Sequence, residues 1–81
     1  MNLIIRNLDS RTTAEDINQL LKDFDNTTTR QIKSVIQPHS GKLLTSAHIH
    51  VEEKTKGQEI IEQLNNSEYK GSVITVKESK S

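Results

Sequence analysis

Apolar and polar positions along the chain fall into short blocks with two different periods. Leu3-Ile4-Ile5-Arg6 reads as a strand, with Leu3 and Ile5 on one face and Ile4 and Arg6 on the other. After the turn-rich Asp9–Thr12, either Thr12 or Thr13 is placed to cap a helix. Glu15 and Asp16 fall in its first turn, where the helix dipole favours acids. Ile17, Leu20, Leu21 and Phe24 follow at i, i+3, i+4, i+7, one apolar stripe for one core face. The polar run Asp25–Thr29 predicts a loop and Ile32–Ile36 a second strand. Gln37–Lys42, with Pro38 and Gly41, predicts the turn that leads into a third strand.

That third strand, about Leu44 to Val51, alternates cleanly: Ala47, Ile49 and Val51 on one face, Ser46, His48 and His50 on the other. Glu52–Asn65 reads as a second helix with Ile60, Ile61 and Leu64 apolar and with Gly57, a weak helix former, near its start. Ser72–Lys77 closes the series as a strand with Ile74 and Val76 inward. The order is βαββαβ, an α+β, ferredoxin-like plan with a four-stranded antiparallel sheet, two helices on one face, and the other face open. One domain over residues 1–78 is expected, with 79–81 a short disordered tail. Leu3, Ile5, Ile17, Leu20, Leu21, Phe24, Ile32, Ala47, Ile49, Val51, Ile60, Ile61, Leu64, Ile74 and Val76 are expected to form most of the core.

Composition narrows the possibilities. At 81 residues, a domain buries only about 60% of the surface its unfolded chain exposes, so its stability is modest. The only aromatics are Phe24 and Tyr69, which leaves the core to Ile, Leu and Val. Eleven basic and eleven acidic residues cancel, whereas strong nucleic-acid binders usually carry a basic excess. Any positive patch must arise from uneven placement. With no Cys, disulfides and thiolate metal sites are excluded and a reducing compartment is suited. No apolar run reaches the ~18 residues of a membrane span, and the first residues lack a signal-peptide pattern. A cytoplasmic location is therefore expected.

Several motifs together resemble the RNA recognition motif (RRM) family. Leu3-Ile4-Ile5-Arg6-Asn7-Leu8 is similar to its first signature strand, and Ser40-Gly41 stands where the family commonly has Thr-Gly between strands two and three. Thr45-Ser46-Ala47-His48-Ile49 aligns with the second signature strand, Gly-aromatic-Gly/Ala-aromatic-Val. Ile60–Asn66 resembles the second helix with its Leu-Asn-Gly exit, and Tyr69–Val76 the approach to strand four. The match spans nearly the whole chain. Single pieces are weak; their joint order and spacing is what is specific.

In that family, aromatics on the open face stack two or three bases of single-stranded RNA. Here the corresponding positions hold Ile4, Ser46 and His48, and Leu44 replaces the usual Arg or Lys. Two lost platforms remove about 2–6 kcal/mol at 1–3 kcal/mol per base. The resemblance thus implies a small stand-alone RRM-type protein that binds single-stranded RNA weakly. Its surface is Ile4, Arg6, Lys33, Ser46, His48, His50, Thr75 and Lys77, with Val35 beside them; Arg6, Lys33 and Lys77 would meet phosphates and His48 would stack a base. A one-residue slip in strand two would replace Lys33 and Val35 by Ser34 and Ile36. The alternative is an RRM-like protein-interaction module that no longer binds RNA, with Ile4 and Val35 serving a protein partner or self-association. The charged Lys54-Thr55-Lys56 and Lys22-Asp23 read as solvated helix faces or as a helix-side protein contact. His48 and His50 share a face, but with His39 in a distal loop they lack a third metal ligand. No nucleophile–base set, buried carboxylate pair or phosphate-binding Gly loop can be assembled. The chain is therefore expected not to be an enzyme and to use no cofactor or metal.

Overall fold

The structure is a computed structural model that describes residues 1–24 and 26–79. Asp25, in the predicted loop, and Lys80 and Ser81, in the predicted tail, lie outside the described residues. The elements are β1 (Asn2–Leu8), α1 (Ala14–Leu20), β2 (Thr27–Ile36), β3 (Leu43–Val51), α2 (Lys54–Leu64), β4 (Ser67–Tyr69) and β5 (Ser72–Glu78). The sheet runs β2-β3-β1-β5-β4, each neighbouring pair antiparallel. The α+β, ferredoxin-like plan is present, but the expected four strands are five. The additional strand, β4, forms a hairpin with β5 through Ser67↔Ile74, Glu68↔Val73 and Tyr69↔Ser72. Its turn is Lys70-Gly71, with φ of 50° and 82°, the two left-handed residues of a tight hairpin turn. Lys at the first of these positions is not the Asn or Asp that advertises such a turn, and three residues are too few to show alternation.

The core lies between one sheet face and the two helices. Leu3, Ile5, Leu8, Ile17, Leu21, Ala47, Ile49, Val51, Ile60, Ile74 and Val76 are buried, with Leu20, Phe24, Ile32, Ile61, Leu64, Met1 and Tyr69 half-buried against them. Leu8 was not expected there. Simple alternation from Ile5 would turn it outward, but pairing with β3 slips between Ile5↔Ala47 and Leu8↔Thr45, and Asn7 takes φ 66°. This bulge turns Leu8 back into the core. The buried Thr45 is satisfied there, its Oγ1 lying 2.9 Å from Ser34 Oγ.

Both helices are shorter than the sequence suggests, and α1 ends before its apolar stripe does. Thr13 caps α1: its Oγ1 accepts from the Asp16 amide at 3.2 Å while the Asp16 carboxylate accepts from the Thr13 amide at 3.0 Å, a reciprocal capping box. The helix ends at Leu20, and a turn in which the Phe24 amide donates to Leu21 O at 2.9 Å brings Phe24 to the core. Helix α2 starts at Lys54, two residues later than the sequence suggests, with Glu53 as N-cap but no side-chain cap bond. Gly57 is buried there because Met1 packs on it; a Cβ at this position would collide with the Met1 sulfur. Past α2, Asn65 Oδ1 accepts from the Val76 amide at 3.0 Å and so joins the helix exit to β5.

Candidate nucleic-acid interface

The register of the sheet arranges its open face in rows. Ile4 stands between His48 on β3 and Lys77 on β5, and Gln31 on β2 stands opposite His48. The next row is Lys33–Ser46 on β2 and β3, with Arg6–Thr75 on β1 and β5. Val35 and Leu44 form a pair at the hairpin end, and Thr28 opposes His50 at the other. All eight residues expected from sequence therefore lie on this face. The pairing Lys33↔Ser46 and Ile32↔Ala47 resolves the register of β2 in favour of Lys33 and Val35 outward.

The face also holds residues the sequence reading left out. Gln31 stands level with His48 because β2 carries an irregularity: pairing slips between Thr29↔Ile49 and Gln31↔His48, which leaves Arg30 as an extra residue. Nothing in the alternation of Thr29-Arg30-Gln31-Ile32 announces this insertion. Asn7 closes the far end of β1, its Nδ2 donating to Val73 O at 2.7 Å. Val35, Ile36, Leu43 and Leu44 are 52%, 65%, 50% and 44% exposed, so the β2–β3 hairpin ends in an apolar tip.

Charge is distributed unevenly over the two sides. Strands β1, β2 and β3 contain Arg6, Arg30 and Lys33 and no carboxylate, and β5 adds Lys77 to the open face. Among the described residues none of these four cations is in an ion pair. Carboxylates lie elsewhere: Glu15 and Asp16 on α1, Glu59 and Glu62 on α2, Glu52 and Glu53 leading into it. The two histidines differ. His50 Nδ1 is 2.9 Å from Asn2 Oδ1, a bond made by the tautomer with its proton on Nδ1. The half-buried His48 ring has no hydrogen-bond partner among the described residues and is the only planar ring at the middle of the face. Among the described residues no three His, Cys, Asp or Glu side chains converge as a metal site would need.

Two hollows interrupt the face. One, of about 390 Å³, is lined by Arg6, Asn7, Val35, Leu44, Thr45 and Ser46. The other, of about 420 Å³, is lined by Asn2, Arg30, Gln31, His48, Ile49 and Ser79. The first has an aliphatic wall; the second is walled by amides, an imidazole and a guanidinium.

The family model of the RNA recognition motif matches residues 3–75, which includes both signature strands and the open face from Ile4 to Thr75. The chain belongs to the RNA recognition motif family. Solved structures agree on the fold. The crystal structure of RNA-binding protein PG1 is similar with a TM-score of 0.75 and 23% identity, over 100% of this chain and 95% of that one. The RRM of Rna15 with bound RNA (GU) gives 0.73 and 15%, over 99% and 83%. Sex-lethal RNA recognition domains 1 and 2 from Drosophila melanogaster give 0.73 and 16%, over 99% and 50%. No curated protein matches the chain in sequence. At these identities the neighbours speak for the RRM fold, including the open sheet, and leave ligand preference to the residues of this RRM.

Proposed function

We propose that this RRM binds single-stranded RNA through its open face, and binds it weakly. The observation that carries the reading is the set of four cations, Arg6, Arg30, Lys33 and Lys77, on a face whose β1, β2 and β3 contribute no carboxylate. Phosphates are the natural partners of such a face. Weakness follows from Ile4 and Ser46, which offer no π-face where bases stack and leave His48 as the one ring at the family's stacking positions. The three similar structures are named for RNA, one as an RNA-binding protein, one with RNA bound and one as RNA recognition domains, and this supports the same reading. The absence of Cys suits a reducing, cytoplasmic setting, and no catalytic step is assigned to the domain.

Titration of isotope-labelled protein with a pool of short single-stranded RNAs, followed by amide shifts, tests this. Shifts concentrated at Ile4, Arg6, Lys33, Ser46, His48, Thr75 and Lys77 are expected. An unchanged spectrum, or shifts confined to α1 and α2, overturns it. A second reading, a protein-interaction module, is favoured by one observation, the exposed apolar tip of Val35, Ile36, Leu43 and Leu44. It predicts that these four amides shift with protein concentration or with a protein partner while RNA leaves the face untouched.

A further inference from the structure

The β2 irregularity gives the open face a feature that strand alternation alone would not supply. Arg30 and Gln31 are consecutive, so a regular strand would send them to opposite faces. Because pairing slips at Arg30, both side chains instead line one hollow beside His48. Bulges re-aim side chains in this way next to functional sites. Both residues are exposed, and neither has a hydrogen bond or ion pair from its side chain among the described residues.

The chemistry of this hollow is selective. Arg30 presents a planar fork of N–H donors and no acceptor. Gln31 presents an amide that both donates and accepts. His48 supplies a ring face at the same place. A phosphate only accepts, so it would use Arg30 and leave the Gln31 oxygen without a partner. A nucleobase stacked on His48 can satisfy all three. Guanine shows two adjacent acceptors, O6 and N7, to a guanidinium fork, and its ring N–H can donate to an amide oxygen. Adenine places an amino donor where guanine has O6, so the Arg30 fork would meet donor against donor and only Gln31 could pair with it. Cytosine and uracil lack N7 and the second contact.

We propose that the hollow between Arg30, Gln31 and His48 is a guanine-reading subsite, in which Arg30 donates to O6 and N7, Gln31 accepts from the ring N–H, and His48 stacks the base. The proposal rests on RNA binding by the open face and adds to it a base preference set outside the family's usual stacking positions of strand one.

The test is a comparison of short oligouridylates that carry a single guanosine, adenosine, inosine or 7-deazaguanosine, titrated against the protein and its Arg30→Lys and Gln31→Ala variants. A bidentate base contact discriminates by roughly fivefold or more. The guanosine and inosine oligomers should therefore bind at least about fivefold more tightly than the adenosine one, and 7-deazaguanosine, without the N7 acceptor, should lose much of that advantage. Arg30→Lys keeps the charge but not the fork, so it should abolish the preference, read as the ratio of guanosine- to adenosine-oligomer affinity, whatever it does to overall affinity. Gln31→Ala should weaken guanosine binding more than oligouridylate binding. Both positions are exposed on an edge strand, and an unchanged amide spectrum elsewhere confirms that the variants are folded. Equal binding of all oligomers, with no effect of Arg30→Lys, overturns the subsite and leaves RNA binding standing. No binding by any oligomer overturns both.

Discussion

His48 is the residue on which the open face turns. It lies opposite Gln31, neighbours Ile4 across the sheet, and keeps its ring free of hydrogen bonds to the described residues. If a base stacks there, His48→Ala should weaken RNA binding by about 1–3 kcal/mol and His48→Phe should restore or strengthen it. Anisotropy titrations with one oligonucleotide decide the matter; two folded variants with wild-type affinity would move the RNA surface off the sheet. On the opposite side of the same strand Ile49 is 1% exposed. Ile49→Ala should cost about 2–5 kcal/mol, readable as a lowered denaturation midpoint or outright loss of folding. This pair shows why single positions were readable from the sequence: on β3, alternation assigns each residue to one face, and Ser46, His48 and His50 fall outward and Ala47, Ile49 and Val51 inward. Where the ladder slips, alternation misleads. Leu8 turns inward after the Asn7 bulge, and Arg30 and Gln31 come to share a hollow; a bulge is decided by pairing between strands, which a local pattern does not encode.

The elements owe their ends to caps and turns, and these carry a pH dependence. Asp16 closes the α1 capping box and lies 3.1 Å from Lys70 of the β4–β5 turn. The Thr13 backbone amide, and then the Lys70 ammonium, hold its carboxyl below the ordinary 3.8. The Lys70 ammonium is pushed up in turn, chiefly by its bond to Asp16. Since the folded carboxyl releases its proton more readily than the unfolded one, this stabilisation is complete above about pH 4 and fades as pH falls through the lowered value. Melting temperatures of the protein and of Asp16→Asn should thus differ near neutral pH and converge under acid; a gap that stays constant down to pH 2 would show that charge at Asp16 is not its source. Asp9, held low chiefly by the Arg11 amide, is common to both proteins and cancels. The cap was legible only as a choice between Thr12 and Thr13, which the structure resolves as Thr13. The element it is tied to was not. Tyr69, whose hydroxyl donates to Asp16 O at 3.4 Å, and Lys70 belong to a three-residue strand and its turn, too short for any period to reveal.

At the scale of the molecule, a neutral chain becomes a polar object through topology. Eleven basic and eleven acidic residues say only that the total is zero. The antiparallel order β2-β3-β1-β5 gathers Arg6, Arg30, Lys33 and Lys77 on the open side, while α1, α2 and the approach to α2 take much of the acid. Zero net charge removes long-range attraction to RNA but not short-range contact with phosphates, because counterions released at the face depend on local cations. Each phosphate met on a single strand contributes about −0.7 to the slope of log K against log salt. With Arg6, Lys33 and Lys77 on phosphates and Arg30 on a base, the slope should be about −2, and each of Arg6→Gln, Lys33→Gln and Lys77→Gln should make it shallower by roughly 0.7 while weakening every oligonucleotide alike. Arg30→Lys, which keeps its charge, should leave the slope unchanged. Affinities measured across a salt series check both statements. Tight binding that hardly responds to salt would mean that recognition does not run through these cations, and slopes indifferent to Lys33 and Lys77 would confine the contact to Arg6 and Arg30.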